Sequence, residues 1–158
     1  MALALPVLAG RVVGIAQSAI DEVVAMAPTK HTDNGQVLID RPHAASRLGA
    51  AQTDLDAARA LLRHAAATID AAATAGRPVD EDLRARLRAA MSHAAAVSRN
   101  VLATCRELAS STAIYQGQAI ERIIRDGEVA TQHAILARTH LDIRGRMMLG
   151  LDAGTPVV

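Results

Sequence analysis

The run HAASRLGAAQTDLDAARALLRHAAATIDAAATA, residues 43–75, decides the fold. Leu48, Ala51, Leu55, Ala58, Leu62, Ala65 and Ile69 recur at steps of three and four, while Arg47, Asp54, Arg59 and Arg63 take the opposite side. That is the period of a long helix with one apolar stripe, and such a stripe needs other helices to cover it. Pro42 suits a first turn, and Gly76-Arg77-Pro78 reads as a C-cap glycine followed by a residue that cannot continue the helix.

The flanking sequence repeats the pattern. Downstream, Asp80 with Glu81 and Asp82 behind it starts a third helix, since acids complement the positive end of the helix dipole. Leu83, Leu87, Ala90, Ala94, Val97, Val101 and Leu108 carry its stripe to a turn at Ser110. Upstream, a first helix runs from about Pro6 to Met26, where Pro28 prevents continuation. Thr29 to Arg41 reads as a loop with a turn at Asp33-Asn34-Gly35 and a weak strand signal at Gln36 to Ile39. A fourth helix is expected over Gln118 to Arg138 and a short fifth over His140 to Leu149, before the Gly154-Thr155-Pro156 tail. The expected fold is all-α: one domain over residues 1–158, an antiparallel four-helix bundle running up-down-up-down, with a short C-terminal helix. No internal repeat is present.

Composition narrows the class. Hydrophobic residues make up 51% of the chain, yet Phe and Trp are absent and Tyr115 is the one aromatic. A core of Ala, Leu, Val and Ile favours helices packed at short distance, and it offers no stacking platform for bases. Seventeen basic and 16 acidic residues give a net charge of +1 without a basic stripe, which argues against nucleic acid. Cys105 has no disulfide partner and lies in an apolar stripe, so it reads as buried filler and fits a reducing cytoplasm. The six histidines lack an H-x-x-x-H pair or a cysteine at ligand spacing, so no metal is expected. The apolar opening from Met1 to Ile20 is interrupted by Arg11 and lacks a basic start, which favours a buried helix over a signal peptide or membrane span.

One stretch carries chemistry. Ser110-Ser111-Thr112-Ala113-Ile114-Tyr115 is a small-residue turn, followed by Glu121-Arg122-Ile123-Ile124-Arg125-Asp126 and Thr131-Gln132-His133. On helical spacing, Arg122, Arg125 and Asp126 share a turn and His133 returns to their side seven residues later. Bland readings exist for each. Arg125 and Asp126 can be a solvated ion pair, the serines can be helix caps, and a lone histidine is often structural.

The order of these residues, with Gly14-Ile15-Ala16-Gln17 and the closing Gly145-Arg146-Met147-Met148-Leu149-Gly150-Leu151-Asp152, resembles the C-terminal helical domain of the acyl-CoA dehydrogenase superfamily of flavoenzymes. The resemblance covers nearly the whole chain. It implies a flavin cofactor, FAD or FMN, held only in the complete enzyme, whose N-terminal helical and middle β-barrel domains are missing here. It also implies a homo-dimer or tetramer built on these helices, without nucleic acid or membrane as partner. Ser110 and Ser111 stand where the dehydrogenases carry a glycine pair that approaches flavin, and Arg125 belongs to a pair kept near the subunit contacts that shape the flavin site. His133 stands where the flavin-dependent monooxygenase branch places a histidine facing substrate and flavin, which implies a catalytic role. The dehydrogenases' glutamate base falls on Ala134, and residues 1–20, where other members place the base, contain no acid. The implied function is therefore one wall of a reduced-flavin monooxygenase. A non-catalytic helical assembly module is the alternative, and a true acyl-CoA dehydrogenase domain the second.

Overall fold

A computed structural model describes residues 5–31 and 35–154. It contains five α-helices: α1 (Leu5–Met26), α2 (Pro42–Thr74), α3 (Glu81–Ala109), α4 (Ala119–Thr131) and α5 (Thr139–Met148). Among the described residues three single-turn 3-10 segments punctuate them, at Leu38–Asp40, Ser110–Ala113 and Ala134–Leu136. The Asp33-Asn34 part of the expected turn and the Thr155-Pro156 part of the tail lie outside the described residues; Gly35 has φ 80°. The weak strand signal resolves differently: His31 and Val37 form one isolated antiparallel bridge, and Leu38 then buries itself in a 3-10 turn.

Helix boundaries follow local chemistry. Asp80 caps α3, its carboxylate accepting from the Leu83 amide at 2.9 Å. At the end of α2, Gly76 adopts φ 66°, and the amides of Gly76 and Arg77 donate to the Ala73 and Ala72 carbonyls at 3.0 and 2.9 Å. Only a left-handed residue closes a helix in this way.

In α2 the buried positions include Ala44, Ala51, Ala58, Ala65 and Ala72, one every seven residues, with Leu55, Leu62 and Ile69 between them. A heptad of alanines lets the neighbouring helices approach closely while leucine and isoleucine fill the volume. Helix α3 sits at the centre and packs on all four others. Its interior face is therefore wide, and it is made of small residues such as Ala85, Ala94, Ala95 and Ser98.

The ends that meet fix the directions. Arg47 near the start of α2 pairs with Glu107 near the end of α3. Arg106, late in α3, pairs with Glu128 in α4, and Arg99 reaches Thr131 at the end of α4. Ala9 and Val12 of α1 share a cluster with Leu62 and Ile69 late in α2 and Leu87 early in α3. Successive long helices thus run in opposite directions. Among the described glycines Gly127 has the least room, since a Cβ there would stand 2.5 Å from Leu102 Cδ1 and 3.0 Å from Ile15 Cγ2. Glycine there allows α4 to lie against α1 and α3 together.

The fourth helix departs from the sequence expectation. It ends at Thr131, seven residues before Arg138. The Thr131 hydroxyl donates to the Glu128 carbonyl at 2.9 Å, and the Gln132 amide turns to Val129 at 3.1 Å, one residue short of the helical ladder. A threonine hydroxyl that occupies a backbone acceptor competes with helix continuation. His133 is then extended, with φ −62° and ψ 132°, and Leu136 enters the core with 1% of its surface exposed.

Candidate functional site

The break after Thr131 changes the stripe read from the sequence. Arg122, Arg125 and Asp126 do lie on α4, but His133 lies beyond its end and does not share their helical face. Ser110 and Ser111 are at the opposite end of α4, in the turn leaving α3. Thirteen residues of helix separate the two ends, about 20 Å at 1.5 Å per residue. The six residues therefore form two places, not one.

At the first place the backbone of Ser110 has φ 51° and ψ −134°. It is the one non-glycine residue with positive φ among the described residues. That conformation favours glycine and carries strain in serine. The resemblance puts a glycine pair at Ser110 and Ser111, and the backbone at Ser110 is one that glycine adopts without strain. The turn is pinned from the α1–α2 connection, where Lys30 Nζ donates to Thr112 Oγ1 at 2.6 Å. The chain then leaves through Gly117, with φ 90°, and enters α4 with Gln118 at the N-cap making no side-chain cap.

Here a groove of about 380 Å³ opens, lined by Gln116, Gly117, Gln118, Ala119, Glu121, Arg122 and Arg125. Arg125 Nη1 donates to Glu121 Oε1 at 2.8 Å, whereas its Nε stands 4.0 Å from Asp126. Arg125 and Asp126 are each more than half exposed, so their pairing is the solvated kind that contributes little. The groove combines an uncapped helix N-terminus with two guanidinium groups, which is a setting for an anion. Ser110 and Ser111 do not line it. Sequence reasoning missed Gln116, Gly117 and Gln118; the available signal was a glycine just before a helix that has no Ser, Thr, Asp or Asn to cap it.

At the second place His133 caps the 3-10 turn, Nδ1 accepting from the Ile135 amide at 3.3 Å. In the neutral ring the proton is then on Nε2, which remains available as a donor. His133 and Ala134 are both exposed. Behind them, three donors reach the carbonyls of this connection. Arg99 Nη1 donates to Thr131 at 3.2 Å and Ser92 Oγ to Ala137 at 2.6 Å. The His140 imidazole bonds the Ala134 carbonyl, while its Nε2 is buried without a partner. Burial, with the nearby Arg88 charge adding and the Ala134 carbonyl opposing, holds His140 below the usual imidazole range.

Cys105 takes no part in either place. It is fully buried and its thiol is pushed up to about 12 by burial, which keeps it protonated and inert.

Comparison with known proteins gives the family. The chain is 33% identical over 138 residues to an indole-3-acetate monooxygenase of Pseudomonas putida, covering 87% of this chain and 36% of that protein. A protein of the same description from Acinetobacter baumannii is 29% identical over 152 residues, 96% of this chain and 39% of that one. Among solved structures, XiaF from Streptomyces sp., in complex with FADH2 and glycerol, superposes with a TM-score of 0.91 at 25% identity, over 98% of this chain and 40% of that one. The HsaA monooxygenase from M. tuberculosis superposes at 0.84 with 26% identity, over 98% and 39%. The chain thus spans well under half the length of these relatives. Residues 6–138 match the family described as acyl-CoA dehydrogenase, C-terminal domain, and the chain belongs to that family.

Proposed function

We propose that this chain is the C-terminal bundle of a reduced-flavin monooxygenase and contributes one wall of its flavin and substrate site. The observation that carries the reading is the groove at the start of α4. An uncapped helix N-terminus, Arg122 and Arg125 converge there beside the left-handed Gly117. A flavin nucleotide's phosphate has the charge and the size for such a place, and backbone amides can approach it because glycine has no Cβ. Glu121 offsets one of the two arginine charges and holds Arg125 in place. Ser110 and Ser111 lie on the same connection outside the groove, and their exposed hydroxyls are proposed as further contacts to the flavin. The monooxygenase relatives, one of them in complex with FADH2, support this reading.

Bound reduced flavin supplies two electrons to O2, so that one oxygen atom reaches the substrate and the other leaves as water. The residues of this chain position the flavin phosphate and manage a proton. With Nδ1 engaged by Ile135, His133 presents Nε2–H, a donor to a substrate oxygen. The dehydrogenase alternative needs a carboxylate base, and at position 134 the chain has a methyl group on an exposed turn.

The remaining domains, or a second copy, cover the apolar surface. Ile114, Tyr115, Val129, Met148 and Leu149 are each more than 60% exposed. Exposed side chains of that size at both ends of α4 and at the end of α5 are candidates for contacts with other chains, which supports a homo-dimer or tetramer. Among the described residues no helix is long and apolar enough to cross a membrane.

The test is calorimetric titration of the complete enzyme with oxidised and reduced FAD and FMN, together with an assay of O2 consumed per hydroxylated product. Binding of reduced flavin and one O2 per product are expected. Absence of binding in both redox states would leave the non-catalytic assembly module as the better description.

A further inference from the structure

The turn that carries His133 is held mainly from outside. Its own hydrogen bonds are two 3-10 bonds, Leu136 to His133 at 2.8 Å and Ala137 to Ala134 at 3.0 Å, and the 3.3 Å cap on the imidazole. A bond of that length contributes at most about 1 kcal/mol and does not fix a ring by itself. The carbonyls at positions 131, 134 and 137 instead receive donors from α3 and α5. Ser92 is fully buried and Arg99 half-buried, so these donors are fixed by the packing of the central helix. His140 reaches back from the first turn of α5, and its own amide donates to Ala137 at 3.3 Å. Because Nε2 is the buried, unbonded nitrogen, Nδ1–H is the group that donates to Ala134.

We propose that Ser92, Arg99 and His140 are positioning residues that clamp the three carbonyls of the Thr131–Ala137 turn and thereby hold the His133 imidazole in one tautomer and orientation. The inference rests on the reading of His133 as the proton-handling residue. The carbonyls they hold lie two residues before His133, one after and four after, so they bracket the backbone on which its ring stands. A turn fixed at three carbonyls leaves its exposed side chain little freedom besides rotation about its own bonds. Loss of Arg99 leaves the Thr131 carbonyl without its side-chain donor, while loss of His140 or Ser92 leaves the Ala134 or Ala137 carbonyl with a backbone amide alone, and each releases part of that constraint.

The test combines imidazole 15N spectra and steady-state kinetics, both of the complete enzyme. In the wild type, His133 shows one dominant Nε2–H tautomer. His140→Leu is expected to mix the tautomers of His133 and to lower kcat roughly 10- to 100-fold, the cost of a small misplacement of a catalytic group, with KM nearly unchanged. His140→Asn, whose amide can place an N–H where Nδ1 stands, should restore both readouts. Ser92→Ala changes one atom only and carries the test if the leucine variant fails to fold. An unchanged His133 tautomer in His140→Leu and Ser92→Ala would overturn the clamp, whatever turnover does. A mixed tautomer with unchanged turnover would uphold the clamp and remove His133 from the chemistry, which separates this inference from the reading beneath it.

Discussion

The two ends of α4 are built on opposite plans. At its start the backbone is open: Gln118 caps nothing with its side chain, Ser110 and Gly117 are left-handed, and Arg122 and Arg125 stand over the groove. At its finish every element is tied: Thr131 bonds back to Glu128, and Ser92, Arg99 and His140 take the carbonyls that follow. An open helix N-terminus suits a ligand that arrives with its own negative charge. A tied turn suits a side chain that has to stay in one orientation before the reacting group comes. On the proposed reading, binding and proton handling are therefore separable in this domain. Variants at one end should leave the other end's readout intact.

The largest effect is expected at the tied end. In the complete enzyme His133→Ala should lower kcat by roughly 10²–10⁴-fold, the usual contribution of a positioned acid or base, with the melting temperature and flavin affinity little changed. Flavin affinity that falls together with kcat would merge the two ends. At the open end, Arg122→Ala combined with Arg125→Ala should weaken flavin binding roughly 10- to 100-fold, matching about 1.5–3 kcal/mol for lost bonds to a charged group. Turnover at saturating flavin should stay within a few-fold of wild type in the same variant. A fall in kcat without a change in Kd would contradict the assignment of the groove.

Smaller effects probe the frame between the ends. Gly127→Ala forces a methyl group toward Leu102 and Ile15 and should destabilise the fold by about 1–3 kcal/mol, less about 1 kcal/mol of gained helix propensity. Denaturant melts at constant m-value would show it. Ser110→Gly relieves a strained serine and should stabilise by about 1 kcal/mol, unless Ser110 holds its conformation through a bound partner.

The pH response should be the smallest. His140 sits below its ordinary value of 6.5 in the folded protein. Between the folded and unfolded values the unfolded chain binds the extra proton. The contribution of His140 is therefore complete above about 6.5 and is lost as pH falls through that value toward the folded one. Melting temperatures across this window should fall less steeply with acid for His140→Asn than for wild type. Parallel slopes would mean that His140 titrates normally.

The bundle was legible because its long helices write their burial in the sequence. The 43–75 run, Asp80 and Gly76 each predicted a boundary or a face that the packing keeps, since period, cap and C-cap are local properties. Family resemblance was legible too, through the order of motifs. The site was harder. The end of α4 at Thr131 depends on a hydroxyl choosing one carbonyl and on donors from residues 92, 99 and 140, which lie far away in sequence or beyond the break. A reading by period carried the helix on to Arg138 and put His133 on the face of Asp126. The groove was missed for a related reason: Gln116, Gly117 and Gln118 become a site only when Arg122 and Arg125, one and two turns on, open over them.

On the proposed reading the open end of α4 receives the flavin phosphate. Hydrogen exchange of the complete enzyme, with and without reduced FAD, tests it most directly, with the first-turn amides of α5 as an internal control. The account predicts slowed exchange at residues 117–121 and none at 139–142. Equal exchange at 117–121 with saturating flavin bound would contradict it.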